Sequence, residues 1–207
     1  MALTITGAAL DAWALIAQNA VREGAVVDLS GSYASILHID MALGNTTAHT
    51  GGTRIIVETS SSASDDEFWT VRYDSVHLVG TANTEVVLNN PLAAAAAQIE
   101  VADLTGFTVA TGGTLLAFLL DNTVANSELI RIVSTSVEGG NDLINLVDGV
   151  KREHAVTTTV LSNIADSFAV ELPLGTLRAR VIYDNLYDAD GATVYSRARA
   201  VTTTALS

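Results

Sequence analysis

The four histidines are the residues best suited to metal or acid–base chemistry. No two of them have the His-x-x-x-His or His-Glu-x-x-His spacing that places two imidazoles on one helical face for zinc. His38 fits the polar face of a strand, and His77 stands apart from the others. His49 and His154 lie in Thr- or Ala-flanked turns, where a ring nitrogen can hold a backbone group. We therefore predict no metal site among the histidines.

Two groups of carboxylates could bind a hard cation. One is the run Asp65-Asp66-Glu67, and the other contains Asp184, Asp188 and Asp190, where Asp188-Ala-Asp-Gly191 matches part of a calcium loop. The complete EF-hand pattern is absent, because residues 192–199 offer no carboxylate. The fragment favours a solvated turn, with calcium bound by Asp184, Asp188 and Asp190 as the open alternative. No other metal and no cofactor are predicted.

Catalytic patterns give no support for turnover. Hydrolysis by paired carboxylates requires two acids separated by about 5–9.5 Å, and a sequence does not supply that distance. Acidic residues number 23, so pairs of them arise by chance. The chain has no Gly-x-Ser-x-Gly elbow, and its doubled glycines lack the Lys-Ser/Thr that follows in a phosphate-binding loop. We predict no catalytic residues and expect that the chain is not an enzyme.

Aromatic side chains could form a platform on which sugar rings stack. Aromatic residues make up only 5% of the chain, so packing in a core is the favoured interpretation. The tryptophans and tyrosines are Trp13, Trp69, Tyr33, Tyr73, Tyr183, Tyr187 and Tyr195.

The elements that must position these side chains are mostly strands. In residues 36–43, Leu37, Ile39 and Met41 alternate with His38 and Asp40, which is typical of a half-buried strand. Residues 53–59 continue the pattern. A short helix is predicted over residues 10–18, before these strands. Residues 177–183 and 193–203 are also β-rich and flank the turn-forming segment 184–191, which predicts a hairpin.

The middle of the chain forms a second β pattern. It follows a change of composition at Asn89-Asn-Pro-Leu and an alanine run, residues 93–97, which favours an extended linker over a helix. Gly112-Gly113 and Gly139-Gly140 fall at connections between strands. The strands predicted for this middle pattern are 98–102, 114–119, 127–134, 142–147 and 157–161.

These patterns predict an all-β fold, a β-sandwich interrupted by an inserted small β-barrel-like module. The discontinuous sandwich is expected to comprise residues 1–88 plus 165–207, and the inserted module residues 92–163. A solenoid is excluded, because no repeat of that type is present.

Composition narrows the partners. The formal net charge of −13 repels phosphate backbones, so direct nucleic-acid binding is not expected. The absence of Cys excludes disulfides and thiolate metal sites, and suits folding in a reducing cytosol. The first residues lack a basic segment before an apolar one, and no apolar run approaches the roughly 20 residues that span a bilayer. We expect neither Sec export nor a membrane anchor.

The middle segment resembles a small β module recurrent in tailed-phage structural proteins. The resemblance rests on residues 96–107 with their Gly-Phe turn, on Ser127-Glu-Leu-Ile-Arg-Ile-Val133, and on Leu146-Val-Asp-Gly-Val-Lys-Arg-Glu-His-Ala155. Val147 stands before Asp148-Gly149 where the family often has an Arg-Gly pair, and residues 121–126 look like an added loop. The flanks at 31–43, 47–51 and 183–191 are also similar to phage virion sequences.

The resemblance implies a structural part of a virion, made in the host cytoplasm. A capsid decoration or cement role, with the major capsid protein, other virion proteins and further copies of the chain as partners, is the leading expectation. A neck or tail protein is the first alternative. A carbohydrate-binding module or depolymerase fragment is an alternative of another class.

Overall fold

The computed structural model describes residues 4–9, 12–44, 48–64, 68–79, 84–105, 107–162, 165–186 and 193–204. Within these residues the chain is all-β, as predicted, with a single 3-10 turn at Val124–Asn126. The strands are β1 (Thr4–Ala9), β2 (Ala14–Ile16), β3 (Val21–Glu23), β4 (Val27–Asp28), β5 (Ser32–Leu43), β6 (Thr53–Ser60), β7 (Thr70–His77), β8 (Thr84–Val87), β9 (Gln98–Val101), β10 (Leu115–Leu120), β11 (Glu128–Glu138), β12 (Asn141–Leu146), β13 (Thr159–Ser162), β14 (Ala165–Glu171), β15 (Arg178–Asn185) and β16 (Val194–Thr204). No helix in the described residues is long and apolar enough to cross a membrane.

Ten of these strands form a β-sandwich. Its first sheet has the order β1-β16-β5-β14, with β2 also paired to β16, and its second sheet has the order β3-β15-β6-β7, with β4 also paired to β15. Leu37, Ile39 and Met41 of β5 are fully buried, as their alternation predicts, and they pack with Ile55 and Tyr183 from the second sheet. The sandwich core therefore lies between the inner faces of two antiparallel sheets.

The other six strands form a closed barrel. They pair in the order β8-β13-β10-β11-β12-β9, and a bridge between Leu88 and Val101 joins the two ends of the sheet. The backbone amide of Ala102 also donates to the carbonyl of Val87. Closure leaves the sheet without a free edge there. Ile99, Ile132 and other aliphatic side chains fill the interior.

Three glycines, Gly139, Gly140 and Gly149, shape the barrel. Gly139 and Gly140 have φ values of +60° and +88° and make the two-residue turn between β11 and β12, which is the conformation that tight hairpins favour. A Cβ atom at Gly149 would lie 2.5 Å from the carbonyl oxygen of Ala95, so only glycine fits there. The predicted Gly139-Gly140 connection is confirmed.

A small aromatic cluster joins the barrel to the first sheet. The rings of Trp13 and Phe118 have centroids 4.7 Å apart, and those of Phe118 and Tyr195 lie 5.5 Å apart. Trp13, Phe118 and Ala42 are buried together in this junction cluster. The barrel thus covers the part of the first sheet's outer face around Ala42 and Asp40, which also explains why Asp40, predicted on a polar face, is only 1% exposed.

Two local predictions for the sandwich were wrong. Of the helix predicted over residues 10–18, residues 12–18 are described; they contain strand β2, because pairing with β16 outweighs helical propensity. The predicted hairpin of residues 177–203 does not form. Strands β15 and β16 belong to opposite sheets, so residues 186–193 connect the two layers.

The middle of the chain agrees with the predicted strands and differs at its start. The predicted strands there correspond to β9 through β13. Residues 84–87, assigned from sequence to the sandwich, form β8 and pair with β13. The alanine run at 93–97 is an ordered turn, in which Ala95 has a φ of +66° and its amide donates to the carbonyl of Val150. The division into two domains stays a prediction.

Candidate functional site

A buried ionic cluster in the barrel joins three titratable side chains. His154 Nδ1 lies 2.9 Å from Asp121 Oδ2, and Nε2 lies 2.9 Å from Glu128 Oε1. All three residues are buried. Asp121 follows β10, Glu128 begins β11, and His154 forms an isolated bridge with Leu92, so the barrel backbone fixes each member.

Further donors complete the cluster. Glu128 accepts from the Lys151 amide with both oxygens, at 3.1 and 3.0 Å. Asp121 accepts from the Thr123 amide at 2.8 Å and from the Thr158 hydroxyl at 3.3 Å. Buried carboxylates need such partners, because an unpaired buried charge is strongly unfavourable.

The cluster shifts the pKa of each member towards its charged form. Burial by itself lowers the pKa of His154, but its hydrogen bonds to Glu128 and Asp121 and the attraction of both carboxylates outweigh burial and raise that pKa. Burial alone raises the pKa of Asp121 and of Glu128. For Asp121, the Thr123 amide and His154 lower it below the ordinary value; for Glu128, His154 and the Lys151 amide do so.

The geometry of His154, Asp121 and Glu128 suits a structural role, which is to hold segments of the barrel together, better than it suits proton transfer to a substrate. Carboxylate oxygens only accept hydrogen bonds, so both ring nitrogens of His154 donate, and the ring has no free lone pair for a substrate. The two carboxylates lie on opposite sides of the ring and cannot converge on one ion. Among the described residues, no group of three or more His, Cys, Asp or Glu is placed to hold a metal.

A second histidine cluster lies at the edge of the sandwich. His77 Nδ1 donates to Asp166 Oδ2 at 2.6 Å, and Nε2 forms a hydrogen bond with the Tyr73 hydroxyl at 2.8 Å. The His77 ring stacks on Phe168, with centroids 4.3 Å apart and an interplanar angle of 1°. The order carboxylate, imidazole, hydroxyl is that of a nucleophilic triad. Here the hydroxyl belongs to a tyrosine that packs on the sandwich core, so the cluster links β7 to β14.

A third ionic group lies between the barrel and the first sheet. Asp40 accepts from Arg197 Nε at 2.7 Å, from the Ser167 hydroxyl at 2.6 Å and from Arg199 at 3.3 Å. The Arg197 guanidinium also lies 4.8 Å from the centroid of the Trp13 ring. These polar contacts lie beside the aromatic junction cluster, and Arg197 belongs to both because it contacts Asp40 and the Trp13 ring.

The histidines singled out from sequence have separate environments. His38 is half-buried on β5. His49 is buried and hydrogen-bonds with the Thr53 hydroxyl at 3.0 Å, and burial lowers its pKa. His154 was expected to hold a backbone group with its ring. That prediction was wrong, because its ring holds two carboxylates that come from distant parts of the chain.

The predicted cation ligands are described only in part. The run at residues 65–67 and the pair Asp188 and Asp190 lie outside the described residues. Asp184 is half-buried on β15, opposite Arg54 of β6. The choice between a solvated turn and a calcium loop therefore stays a prediction.

The described aromatic residues do not share one exposed platform. Trp13 and Tyr183 are buried, the first in the junction cluster and the second in the sandwich core. Trp69 lies under the guanidinium groups of Arg178 and Arg180, at 5.0 and 4.4 Å from its ring centroid. Tyr187 and the side chain of Tyr33 lie outside the description.

The buried ionic cluster was missed by sequence reasoning, although one signal for it exists. Glu128 has the same parity as Ile130 and Ile132 in β11, so its side chain must share their buried face. A buried carboxylate requires a partner, and His154, with two ring nitrogens, is a candidate 26 positions further along the chain. The signal identifies Glu128 as a buried acid. It does not identify Asp121, which only the folded barrel brings next to His154.

Comparisons with known proteins give one match. No protein-family model matches this chain, and no curated protein matches it. Among solved structures, a chain in the structure of infectious bursal disease virus Gt strain is similar, with a TM-score of 0.22 and 10% sequence identity. The alignment covers 98% of this chain and 41% of that chain, so the present chain spans less than half the length of the viral one.

Proposed function

We propose that this chain is a non-enzymatic structural component of a tailed-phage particle, and that it acts as a capsid decoration protein through protein–protein contacts. The observation that carries the proposal is the meeting of Glu128 and His154. Both belong to the segments that resemble the phage module, and their side chains pair inside the barrel. Two of the residues that carry the resemblance thus form a buried ion pair that connects separate segments of the barrel.

The surface also suits contact with other proteins. Large apolar side chains are exposed in several places, among them Phe68 at 64%, Val137 at 68% and Leu174 at 84%. Single exposed apolar residues are ordinary on a monomer, but they add area to an interface when copies are arrayed. Many copies on one particle would multiply individually weak contacts through avidity.

The experiment is a reconstruction of the particle combined with a count of copies. The chain should be located on the head surface, in hundreds of copies, with the major capsid protein in the same sample as the calibrant. A count of a few to a dozen, with density at the neck or tail, would replace decoration with the neck or tail alternative. Absence of the chain from purified particles would refute the proposal.

A further inference from the structure

A groove runs between the barrel and the first sheet of the sandwich. Its barrel side includes residues 128–131, Asp148, Gly149 and Lys151, and its sheet side includes Asp40, Arg197 and Arg199. The cavity measures about 190 Å³. A neighbouring cavity of about 330 Å³ shares Lys151, Arg197 and Arg199 with it, so the two cavities adjoin each other and together make up the groove.

The groove concentrates positive charge on a strongly acidic chain. It contains five of the ten basic residues, on a protein whose formal net charge is −13. Three carboxylates line it as well, and one of them, Glu128, is already paired with His154. The basic residues of the groove are Arg131, Lys151, Arg152, Arg197 and Arg199.

Not all of these cations are neutralised within the chain. Arg197 is paired with Asp40 at 2.7 Å, and Arg199 has only a longer contact, of 3.3 Å, with the same carboxylate. Arg152 donates to a neutral group, the carbonyl of Ala125. Lys151 is exposed, and its ammonium group has no ion-pair partner in the described part of the chain. Lys151, Arg152 and Arg199 therefore form a surplus of positive charge.

Two arginines on the second sheet, Arg54 and Arg180, do have carboxylate partners. Arg54 makes two hydrogen bonds to Asp74, at 2.7 and 2.6 Å. Arg180 pairs with Glu58 at 2.7 Å and also with Glu23. Those two guanidinium groups have their own carboxylates, whereas Lys151 and Arg152 of the groove have no carboxylate partner among the described residues.

We propose that the groove is a contact surface for a second copy of this chain, which presents carboxylates to Lys151, Arg152 and Arg199. The inference rests on the proposed function, in which copies lie next to one another. The 13 acidic residues in excess of the basic ones give every copy carboxylates to offer. At physiological salt, repulsion between the acidic bodies is screened beyond about 8 Å, whereas ion pairs formed inside the contact are screened much less.

A nucleic acid fits the groove less well than a carboxylate surface does. The net charge of −13 repels a polyanion before contact. The carboxylates of Asp40 and Asp148 stand among the basic groups, where they would face phosphates. An acidic protein surface can present isolated carboxylates between them.

The test compares two charge reversals in the full-length chain by analytical ultracentrifugation. Lys151→Glu should weaken self-association about tenfold, since it replaces an attractive contact with a repulsive one. Arg72→Glu is the matched control: it makes the same change in net charge at an exposed residue of β7 that has no ion-pair partner among the described residues. The control should change self-association less than twofold. Circular dichroism establishes whether both variants are folded. If Lys151→Glu does not fold, Lys151→Gln, which only removes the positive charge, takes its place in the comparison.

Three results in solution would overturn the inference. They are a wild-type chain that stays monomeric at its highest soluble concentration, an equal effect of the two reversals, and oligonucleotide binding that Lys151→Glu abolishes. A particle in which copies are present but do not meet through this groove would refute the inference and leave the proposed function standing. Absence from the particle would refute only the proposed function.

Discussion

His154 Nε2 lies 2.9 Å from Glu128 Oε1, although the two residues are 26 positions apart in the chain. The His154 side chain has no exposed surface, and that of Glu128 is 5% exposed. With Asp121 on the other ring nitrogen, a single imidazolium holds two carboxylates that come from different segments of the barrel. The ring therefore fixes the loop after β10 and the start of β11 to the segment before β13.

Replacement of His154 by glutamine should strongly destabilise the barrel. The change leaves Asp121 and Glu128 buried without their cation, and such uncompensated charges cost about 3–5 kcal/mol of unfolding free energy. Urea denaturation followed by circular dichroism measures the loss. His38→Gln is the control, at a half-buried histidine of β5, and should cost less than about 1 kcal/mol. Equal losses in the two variants would contradict a special role for His154.

The same cluster should make stability depend on pH in a defined direction. The pKa of His154 is raised above its ordinary 6.5, so its contribution is complete below about pH 6.5 and is lost as pH rises through the folded-state value. The pKa values of Asp121 and Glu128 are lowered, so their contributions are present above about pH 4.5 and are lost as pH falls through the folded values.

The difference in unfolding free energy between wild type and His154→Gln isolates this effect. It should be largest between about pH 4.5 and 6.5 and should shrink on both sides. Subtraction matters because burial lowers the pKa of His49, whose contribution changes with pH in the opposite sense to that of His154. Denaturation curves across this range, at constant ionic strength, provide the measurement. A difference that does not vary with pH would show that His154 acts only by its size.

Local pattern predicted the strands better than their partners. The alternation of Leu37, Ile39 and Met41 identifies the buried face of β5, because side chains on a strand alternate between two faces. The hairpin of residues 177–203 was wrong for a different reason. A turn-rich segment between two strands is equally compatible with a hairpin and with a connection between sheets, and only the packing of the sandwich chooses between them.

The candidate sites show the same division. Asp40 alternates with buried residues and was assigned to a polar face, yet the barrel covers that face and Arg197 neutralises it. The alternation correctly placed Asp40 on the face of β5 opposite to Leu37, Ile39 and Met41, but the expected solvent exposure of that face was wrong. A sequence does not tell which face of a sheet a second unit covers. Glu128 could be placed in the core by parity, whereas Asp121 meets His154 only through barrel closure.

Removal of the Phe118 ring should loosen the junction between barrel and sandwich. Phe118 is fully buried between Trp13 and Tyr195, so Phe118→Ala should cost about 3–5 kcal/mol. The emission of Trp13 should shift to longer wavelength as water reaches the ring. Trp69→Phe provides the background, because it leaves Trp13 as the only tryptophan.

The control for this variant is Phe107→Ala, which removes a buried ring from the barrel core instead. It should lower stability without shifting the emission of the native state. If Phe118→Ala leaves Trp13 emission unchanged in the folded protein, the junction does not depend on this ring contact.

The His77 cluster should protect the open edge of the sandwich. His77 connects β7 and β14, which are edge strands of their sheets within the described residues and belong to opposite layers. His77→Leu keeps apolar contact with Phe168 but removes the hydrogen bonds to Asp166 and Tyr73. It should cost about 1–2 kcal/mol, since Asp166 is partly exposed and regains solvation.

Hydrogen exchange locates the effect of this change. Amides of β7 and β14 should exchange faster in His77→Leu, while those of β10 and β11 in the barrel keep their wild-type rates. Tyr73→Phe removes only the hydroxyl that is hydrogen-bonded to His77 and should give a smaller change at the same strands. Uniform acceleration over the whole chain would indicate global destabilisation, and unchanged exchange in β7 and β14 would show that the edge is held by other contacts.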